Sequence, residues 1–223
     1  MSRAFVFGAT GEIGQAITKR FLADSWDVAK FSRATKEGYL SLDEIEKAHP
    51  GLAMADCVIW ANGANLNDSI NDYRSENVEA LLQANLFYIL EGLDLLLKSD
   101  LLSESCSLVI VSSIWQEFSK ANKLSYSISK SALRGLVRSL VADLSPRGMR
   151  INAILPGVVD TSMSRKALSR DQISKIERET PTGSLTSLNS LGNLAFFLGG
   201  TESADINGQS IVIDGGWTAI RHV

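Results

Sequence analysis

The fold is indicated most clearly by Ala4-Phe5-Val6-Phe7-Gly8-Ala9-Thr10-Gly11-Glu12-Ile13-Gly14. Four apolar residues in a row are typical of a buried parallel strand. Glycines follow at once, and Ile17, Phe21 and Leu22 then recur at helical spacing. Glycines let a backbone approach a pyrophosphate closely, and free N–H groups at a helix N-terminus bind the anion. The stretch predicts a strand, a glycine-rich loop and a helix that bind a dinucleotide, although the glycines would also suit a tight turn.

The next apolar run indicates which dinucleotide is bound. Trp26 to Phe31 is a second predicted strand, and Ser32-Arg33 follow it. A site for NAD usually has an acidic residue about 20 positions beyond the glycines, where it accepts from the ribose hydroxyls. Arg33 stands there instead, and a guanidinium can bind a phosphate through two hydrogen bonds. NADP is therefore favoured over NAD; the alternative is a solvated arginine at a strand end.

Strands and helices alternate along the rest of the chain. Further strands are predicted at Tyr39–Leu42, Cys57–Trp60, Leu108–Val111, Ile151–Leu155 and Ser210–Ile213, and helices at 43–49, 78–97, 126–144 and 191–198. This alternation predicts one α/β domain over residues 1–223, a Rossmann-type doubly wound parallel sheet of about seven strands with helices on both faces. The polar segment at about 158–182 is expected to be a helical, mobile cover over a site.

Catalytic chemistry is indicated by Tyr126-Ser127-Ile128-Ser129-Lys130. In a helix, Tyr126 and Lys130 lie one turn apart on one face. An ammonium beside a phenol is expected to lower the phenol pKa from its usual value of about 10, which makes a general acid–base. Ser113 follows an apolar strand, and its hydroxyl could bind a substrate carbonyl together with Tyr126. A solvated Tyr–Lys pair on a helix surface is the alternative.

Asn85 lies on the apolar stripe of the helix at 78–97. A buried amide needs hydrogen-bond partners. It could satisfy backbone groups in the core, or it could link a hydrogen-bond chain towards Lys130.

Composition limits the other functions. The 223 residues are 45% hydrophobic and 21% charged, and the net charge of −3 gives no electrostatic reason to expect nucleic-acid or anionic-membrane binding. Cys57 and Cys106 stand in apolar sequence and are expected to be buried thiols. His49 and His222 are expected at a turn and in the tail, so no histidine catalysis and no metal site is predicted. No secretory signal or membrane span is recognised, and a cytoplasmic protein is expected.

Taken together, these motifs resemble the short-chain dehydrogenase/reductase family, in its compact single-domain form. The resemblance runs from about Ala4 to Trp217. The matching positions are Gly8 to Gly14, Asn62-Gly63, Asn85, Ser113, Tyr126 with Lys130, Asn152, Pro156-Gly157 with Thr161, Asn207-Gly208-Gln209 and Asp214-Gly215-Gly216.

The resemblance implies hydride transfer between a nicotinamide and a carbonyl or secondary alcohol. It assigns Tyr126 as general acid–base, Lys130 to lowering the pKa of Tyr126 and binding the ribose, Ser113 to the substrate oxygen, and Asn85 to a water in a proton relay. It assigns to the cofactor Gly8, Thr10, Gly11, Ile13, Gly14, Ser32, Arg33, Asn62, Gly63, Ala64, Tyr126, Lys130, Pro156, Gly157, Val159 and Thr161. A homotetramer or homodimer, formed through the helices at 78–97 and 126–144, is also implied.

Three departures from the family pattern leave a second function open. Glu12 stands where the family has a glycine, and a carboxylate near a pyrophosphate is unfavourable unless it points to solvent. The segment after the fourth strand reads Ala61-Asn62-Gly63-Ala64, and the chain between the second and fourth strands is short. A catalytically silent dinucleotide-binding sensor or scaffold is therefore the alternative, whereas an epimerase or dehydratase would need a longer chain. Trp115, Phe118 and Met163 hint at an apolar substrate wall.

Overall fold

The structure is a computed structural model that describes residues 1–33, 36–48 and 52–220. The strands are β1 (Arg3–Phe7), β2 (Asp27–Phe31), β3 (Ala55–Trp60), β4 (Leu102–Val111), β5 (Arg150–Pro156) and β6 (Ser210–Ile213). The helices are α1 (Glu12–Ala23), α2 (Leu42–Ala48), α3 (Ser75–Leu82), α4 (Tyr88–Lys98), α5 (Leu124–Leu144), α6 (Ser162–Ala167), α7 (Arg170–Glu179) and α8 (Leu188–Gly199). The predicted helix at 43–49 is α2, while His49 and His222 lie outside the described residues.

The strands form one parallel sheet in the order β2-β1-β3-β4-β5-β6. Phe5 is in register with Ala29 on one side and Val58 on the other. The predicted doubly wound parallel sheet is confirmed. The described part has six strands rather than about seven, because the predicted strand at 39–42 is reduced to a single bridge between Phe31 and Leu40.

Two hydrophobic layers enclose the sheet, because successive residues of a strand point to opposite faces. Phe5 belongs to the layer under α4 and α5, and Val6 belongs to the layer under α1 and α8. Both residues are fully buried. Strands covered on both faces must be apolar throughout, which explains the unbroken apolar runs in the sequence.

The helix predicted at 78–97 is interrupted by a change of pitch. Helices α3 and α4 are joined by a π-helical turn, Gln83–Phe87, which contains Asn85. By length and composition alone, the helical run Ser75–Lys98 could cross a membrane, with a mean hydropathy of 1.4. Its Ile89, Leu93 and Leu96 are buried against the sheet, so its apolar character is explained by the core. Cys57 and Cys106 are buried free thiols.

Candidate active site

The loops that follow the parallel strands meet at one edge of the sheet, which is where open α/β folds bind ligands. The glycine loop follows β1, Ser32-Arg33 follow β2, and residues 61–64 follow β3. Ser113 comes after β4, and Gly157 comes after β5. Residues that are far apart in sequence therefore surround one candidate ligand-binding region at this edge of the sheet.

Two glycines are needed for the turn between β1 and α1. Gly8 has a φ of +74°, and a Cβ there would lie 2.6 Å from the backbone nitrogen of Asn62. A Cβ on Gly14 would lie 2.3 Å from the carbonyl oxygen of Gly8. Gly11 is the N-cap residue of α1 and provides no side-chain cap, so backbone N–H groups of the first turn remain available. The loop is built for close approach of backbone to backbone and of backbone to an anion.

Beside this loop lies a cavity of about 570 Å³, which we call the glycine-loop cleft. Twelve of the residues assigned to the cofactor line it: Gly8, Thr10, Gly11, Ile13, Ser32, Arg33, Asn62, Gly63, Ala64, Tyr126, Lys130 and Thr161. Gly14 is buried beneath the loop. Ser32 is buried and Arg33 is exposed, so the guanidinium stands at the rim of the cleft.

A second cavity of about 510 Å³, which we call the tryptophan cleft because Trp115 lines it, adjoins the first. Pro156, Gly157 and Val159 line this cavity, together with Ser113. Thr161 and Tyr126 line both clefts. Tyr126 therefore forms part of the wall that the two cavities share.

Ser113 and Tyr126 are in contact at that wall. Ser113 is 8% exposed, and its Oγ accepts from the backbone N–H of Trp115 at 3.3 Å. Tyr126 lies in the first turn of α5, as predicted, and its phenol is close enough to the Ser113 hydroxyl for the two groups to interact. Burial raises the pKa of Tyr126, and the interaction with Ser113 offsets part of that rise.

The expected effect of Lys130 on Tyr126 is therefore wrong for the chain by itself. Lys130 Nζ lies 5.8 Å from the centroid of the Tyr126 ring and donates to the Val111 carbonyl at 3.4 Å. Burial lowers the pKa of Lys130 to about 8. The pKa of the phenol is raised rather than lowered, because removal of water penalises the phenolate more than its surroundings compensate.

Asn85 connects the loop after β3 to helix α5. It is fully buried; its Oδ1 accepts from the backbone N–H of Ala64 at 2.7 Å, and its Nδ2 donates to the Ala64 carbonyl at 3.1 Å and to Ser129 Oγ at 2.9 Å. A Cβ on Gly63 would lie 3.1 Å from Asn85 Oδ1 and 3.6 Å from Lys130 Nζ. The structure shows the first of the two predicted roles of Asn85, because the amide satisfies backbone groups. It also places the amide close to Lys130.

Glu12 lines the glycine-loop cleft, where its carboxylate is hydrogen-bonded rather than alone. Its Oε1 accepts from the backbone N–H of Ser162 at 2.9 Å and from the Ser162 hydroxyl. Thr161 caps α6 by accepting from the N–H of Ser164 at 3.1 Å. The carboxylate thus joins the start of α1 to the start of α6, in the segment predicted to cover the site.

Asp68 is a residue of the site that sequence reasoning missed. It is 2% exposed, and its carboxylate accepts from the backbone N–H of Ser125 at 3.0 Å and from the Ser125 hydroxyl. Lys123, the N-cap residue of α5, provides no side-chain cap, so Asp68 caps the helix that carries Tyr126. Capping motifs are recognised within a few residues of a helix start, and no such local pattern exists here.

Lys120 and Lys123 were also missed. Both line the tryptophan cleft, and Lys123 Nζ lies 5.1 Å from the centroid of the Tyr126 ring. The signal available in the sequence was the presence of these two lysines shortly before Tyr126. Of the predicted apolar wall, Trp115 and Met163 line the tryptophan cleft, whereas Phe118 is 45% exposed and is absent from the described lining of both clefts.

Comparison with known proteins identifies the family. A model described as enoyl-(acyl carrier protein) reductase, one of the short-chain dehydrogenase/reductase models, matches residues 42–218. The chain belongs to the short-chain dehydrogenase/reductase family. Membership makes it an oxidoreductase of the class that acts on carbonyl and alcohol groups with NAD or NADP.

Three similar proteins illustrate the range of this family. The uncharacterised oxidoreductase YmfI of Bacillus subtilis (strain 168) is 29% identical over 162 residues, 73% of this chain and 66% of that protein. Carbonyl reductase family member 4 of Xenopus tropicalis is 26% identical over 231 residues, 95% of each chain. The ligand-free aldohexose dehydrogenase of Thermoplasma acidophilum is 22% identical and superposes with a TM-score of 0.90, covering 100% of this chain and 96% of that one. The similarity to the Thermoplasma acidophilum enzyme shows the fold alone.

The residues present fit a bound dinucleotide. Asn62 Oδ1 and Ser112 Oγ are buried without a hydrogen-bond partner in the described part of the chain, and both residues line the glycine-loop cleft. Buried polar atoms of this kind call for a partner. The cleft therefore combines polar atoms that lack partners with glycines whose Cβ atoms would obstruct the loop.

Proposed function

We propose that this short-chain dehydrogenase/reductase is an NADP(H)-dependent oxidoreductase that interconverts a carbonyl compound and a secondary alcohol. The observation that carries the proposal is the placement of Tyr126 at the wall between two clefts, with Ser113 lining the second cleft beside it. The glycine-loop cleft would hold the dinucleotide, and the tryptophan cleft would hold the substrate. A protein that only sensed a nucleotide would have no need of this hydroxyl pair.

The side chains supply the proton chemistry of the reaction. When bound, the cofactor supplies the hydride that reaches the carbonyl carbon. Negative charge then grows on the substrate oxygen, where Ser113 donates a hydrogen bond and Tyr126 donates its proton. The raised pKa of Tyr126 keeps the phenol protonated at neutral pH, so it is ready to act as an acid. Lys130 would bind the ribose of the cofactor.

The proposed cofactor residues form three groups, of which the third reaches from the glycine-loop cleft into the tryptophan cleft. Gly8, Thr10, Gly11, Ile13 and Gly14 form the diphosphate cradle; Asn62, Gly63 and Ala64 border the middle of the dinucleotide; Lys130, Pro156, Gly157, Val159 and Thr161 surround the nicotinamide end. Asn85 would support this arrangement by orienting residues 63–64 and the π-turn that contains it. It would also bind the water of the proton relay.

Arg33 supports the choice of NADP. It lines the glycine-loop cleft at the exposed end of β2, where a ribose phosphate could be bound. A guanidinium at this position favours a 2′-phosphate.

The remaining parts of the proposal concern the cover and the assembly. The whole chain would act as one domain in the cytoplasm, with residues 158–182 moving over the substrate. Phe87, Leu90 and Ile128 are 40%, 38% and 43% exposed on the outer side of the long helices, which supports a homodimer or homotetramer through these helices. Size-exclusion chromatography with light scattering would reveal a monomer if this assembly is wrong.

The activity is tested by screening ketones with NADPH and following nicotinamide absorbance. Tyr126→Phe should lower kcat by about 1,000-fold because it removes the transferred proton, while NADPH binding stays within about twofold. The control is Tyr73→Phe, which alters a tyrosine 54% exposed. If NADPH binds but neither wild type nor the Tyr73→Phe control reduces any ketone, the sensor alternative is supported instead.

Cofactor choice is tested by Arg33→Ala. The ratio of kcat/KM with NADPH to kcat/KM with NADH should fall about 10-fold to 100-fold, since the 2′-phosphate loses its charged partner. Arg138→Ala, an exposed arginine of α5, is the matched control. A wild-type preference for NADH would contradict the assignment.

A further inference from the structure

The tryptophan cleft has a positive charge that the proposed reaction does not use. Lys120 and Lys123 line it, and among the described residues of that lining none is Asp or Glu. The whole chain carries a net charge of −3, so the sign of the cleft is opposite to that of the protein. A cleft whose walls have one sign of charge concentrates ligands of the other sign.

Lys123 is buried without an ion pair among the described residues. It is 7% exposed, and its Nζ donates to Asn65 Oδ1 at 2.6 Å and to the Leu66 carbonyl at 3.5 Å. An ammonium has three donors, so these two bonds leave one for a ligand. The neighbouring carboxylate of Asp68 is hydrogen-bonded to Ser125 and offsets only part of the cost of burying the Lys123 ammonium. A buried cation that lacks a paired anion is costly, and a bound anion would reduce that cost.

Lys120 adds a second cation at the outer side of the cleft. It is exposed, and its Nζ lies 5.4 Å from the centroid of the Trp115 ring. Lys120 also borders a small neighbouring cavity of about 70 Å³, whose lining includes Asp214. The Asp214 carboxylate accepts from the N–H groups of Gly216 and Thr218, each at 2.8 Å, and from the Thr218 hydroxyl. It is therefore engaged within its own turn.

Lys120 and Lys123 are three positions apart in sequence and line the same cleft. Burial lowers the pKa of Lys123, the charge of Lys120 lowers it further, and the charge of Asp68 offsets part of this lowering. Two neighbouring cations in one wall repel each other, and an anion between them would relieve the repulsion.

We propose that the substrate is an oxo acid, in which the carbonyl lies at Ser113 and Tyr126 while a carboxylate is bound by Lys120 and Lys123. The short aliphatic part between the two groups would contact Trp115. Lys123 has few free donors, which suits the small monoanionic carboxylate. This inference rests on the proposed function, because it names the substrate class of the same site.

The experiment compares substrates that differ only in the anion. Levulinate and acetoacetate are each paired with their methyl esters, and reduction by the intact protein is followed with saturating NADPH. Wild type should show a kcat/KM at least about 10-fold higher for each acid than for its ester. Added salt should raise KM for the acids and leave KM for the esters unchanged, because screening weakens charge attraction.

Lys120→Met separates substrate binding from a general effect on Tyr126. It should lower kcat/KM for the acids about fivefold to tenfold and change kcat/KM for the esters by less than about twofold. Lys98→Met is the control, since Lys98 is an exposed residue that pairs with Asp94 on α4. Equal turnover of acid and ester by wild type, or an equal effect of Lys120→Met on both, would overturn the inference.

Failure of the proposed function gives a different result. If neither acid nor ester is reduced, calorimetric titration of levulinate into the protein with NADP⁺ still measures the carboxylate site. Binding that is lost in Lys120→Met and kept in Lys98→Met supports the site, and absence of binding to wild type overturns it. Reduction of the esters alone would support the proposed reductase activity and exclude oxo acids as its substrates.

Discussion

The glycine loop and the start of α5 both present groups to the candidate active site, but they are built in different ways. The loop depends on residues that are neighbours in sequence: a Cβ on Gly14 would lie 2.3 Å from the carbonyl oxygen of Gly8. The start of α5 depends on Asp68, whose carboxylate accepts from Ser125 across 57 positions of the chain. One region is a local backbone turn, and the other is assembled by tertiary contacts.

This difference determines how each region should respond to change. A backbone turn has no side chain that can adjust, so an added methyl group must displace main-chain atoms. A helix start that is capped from a distance can lose its cap and remain helical, because the rest of α5 is packed on the sheet. Damage to the loop should therefore affect cofactor binding, whereas damage at α5 should affect catalysis.

Gly14→Ala should have the largest effect. The added Cβ would overlap Gly8, so we expect a stability loss of about 1–3 kcal/mol and a loss of NADPH affinity of roughly 100-fold. Thermal unfolding and fluorescence titration measure the two quantities. Gly135→Ala is the control: apart from its own helix backbone, no described atom lies within 4 Å of the added Cβ. Replacing glycine within a helix should stabilise the protein by about 0.5–1 kcal/mol. A Gly14→Ala protein with normal affinity would contradict the tight-packing explanation.

Asp68→Ala tests the other side of the comparison. Loss of the distant cap should cost about 1–2 kcal/mol of stability and lower kcat about 10-fold, because Tyr126 in the first turn is less well positioned. NADPH affinity should change by less than about twofold. Asp94→Ala, which removes a carboxylate 62% exposed on α4, should leave all three quantities unchanged. A fall in cofactor affinity equal to the fall in kcat would mean that the two regions are not separable.

The pH dependence should distinguish Lys130 from Tyr126. Burial lowers the pKa of Lys130 to about 8, so its ammonium is present below that pH and is lost as pH rises through it. Tyr126 has a raised pKa and remains protonated over the same range. For ketone reduction, kcat/KM should be flat at neutral pH and fall by up to about 10-fold one unit above the pKa of Lys130. A profile that stays flat well above pH 8 would show that the charge of Lys130 is not required.

Glu12 should have the smallest effect. Glu12→Gln keeps an acceptor for Ser162 and removes a negative charge from the glycine-loop cleft, so NADPH should bind about twofold to fivefold more tightly at low salt. Glu12→Ala removes both the charge and the contact with α6. If the two variants bind NADPH alike but Glu12→Ala alone has a higher KM for the ketone, the contact serves the cover. Weaker NADPH binding by Glu12→Gln would show that the carboxylate favours the cofactor.

Much of the fold could be predicted because its signals are local. Phe5 and Val6 face opposite layers, and such strands read as apolar runs regardless of what packs on them. The seventh strand was not obtained because Leu40 is joined to the sheet by one bridge to Phe31, and a short run of apolar residues does not reveal how many ladder bonds it makes. The π-turn around Asn85 was also missed. A π-turn adds one residue to a single helical turn, and the spacing of apolar residues does not distinguish it from a regular α-helix.

The electrostatics of the site could be predicted only in part. The spacing of Tyr126 and Lys130 indicated their proximity, but the direction of the pKa shift depends on burial, which spacing does not report. The position of Glu12 in the loop was read as a departure, yet its partner Ser162 is 150 residues away.

By itself, the sequence determined the parallel α/β architecture, the glycine turn and the family, because periodicity, backbone freedom and motif order are properties of neighbouring residues. Tertiary structure alone decided that Asp68 caps the helix of Tyr126, that Glu12 meets α6 and that the lysines share a cleft with Ser113. The physical reason is that charge, desolvation and hydrogen bonding act through space, and the groups that act on each other here are brought together only when the sheet is folded.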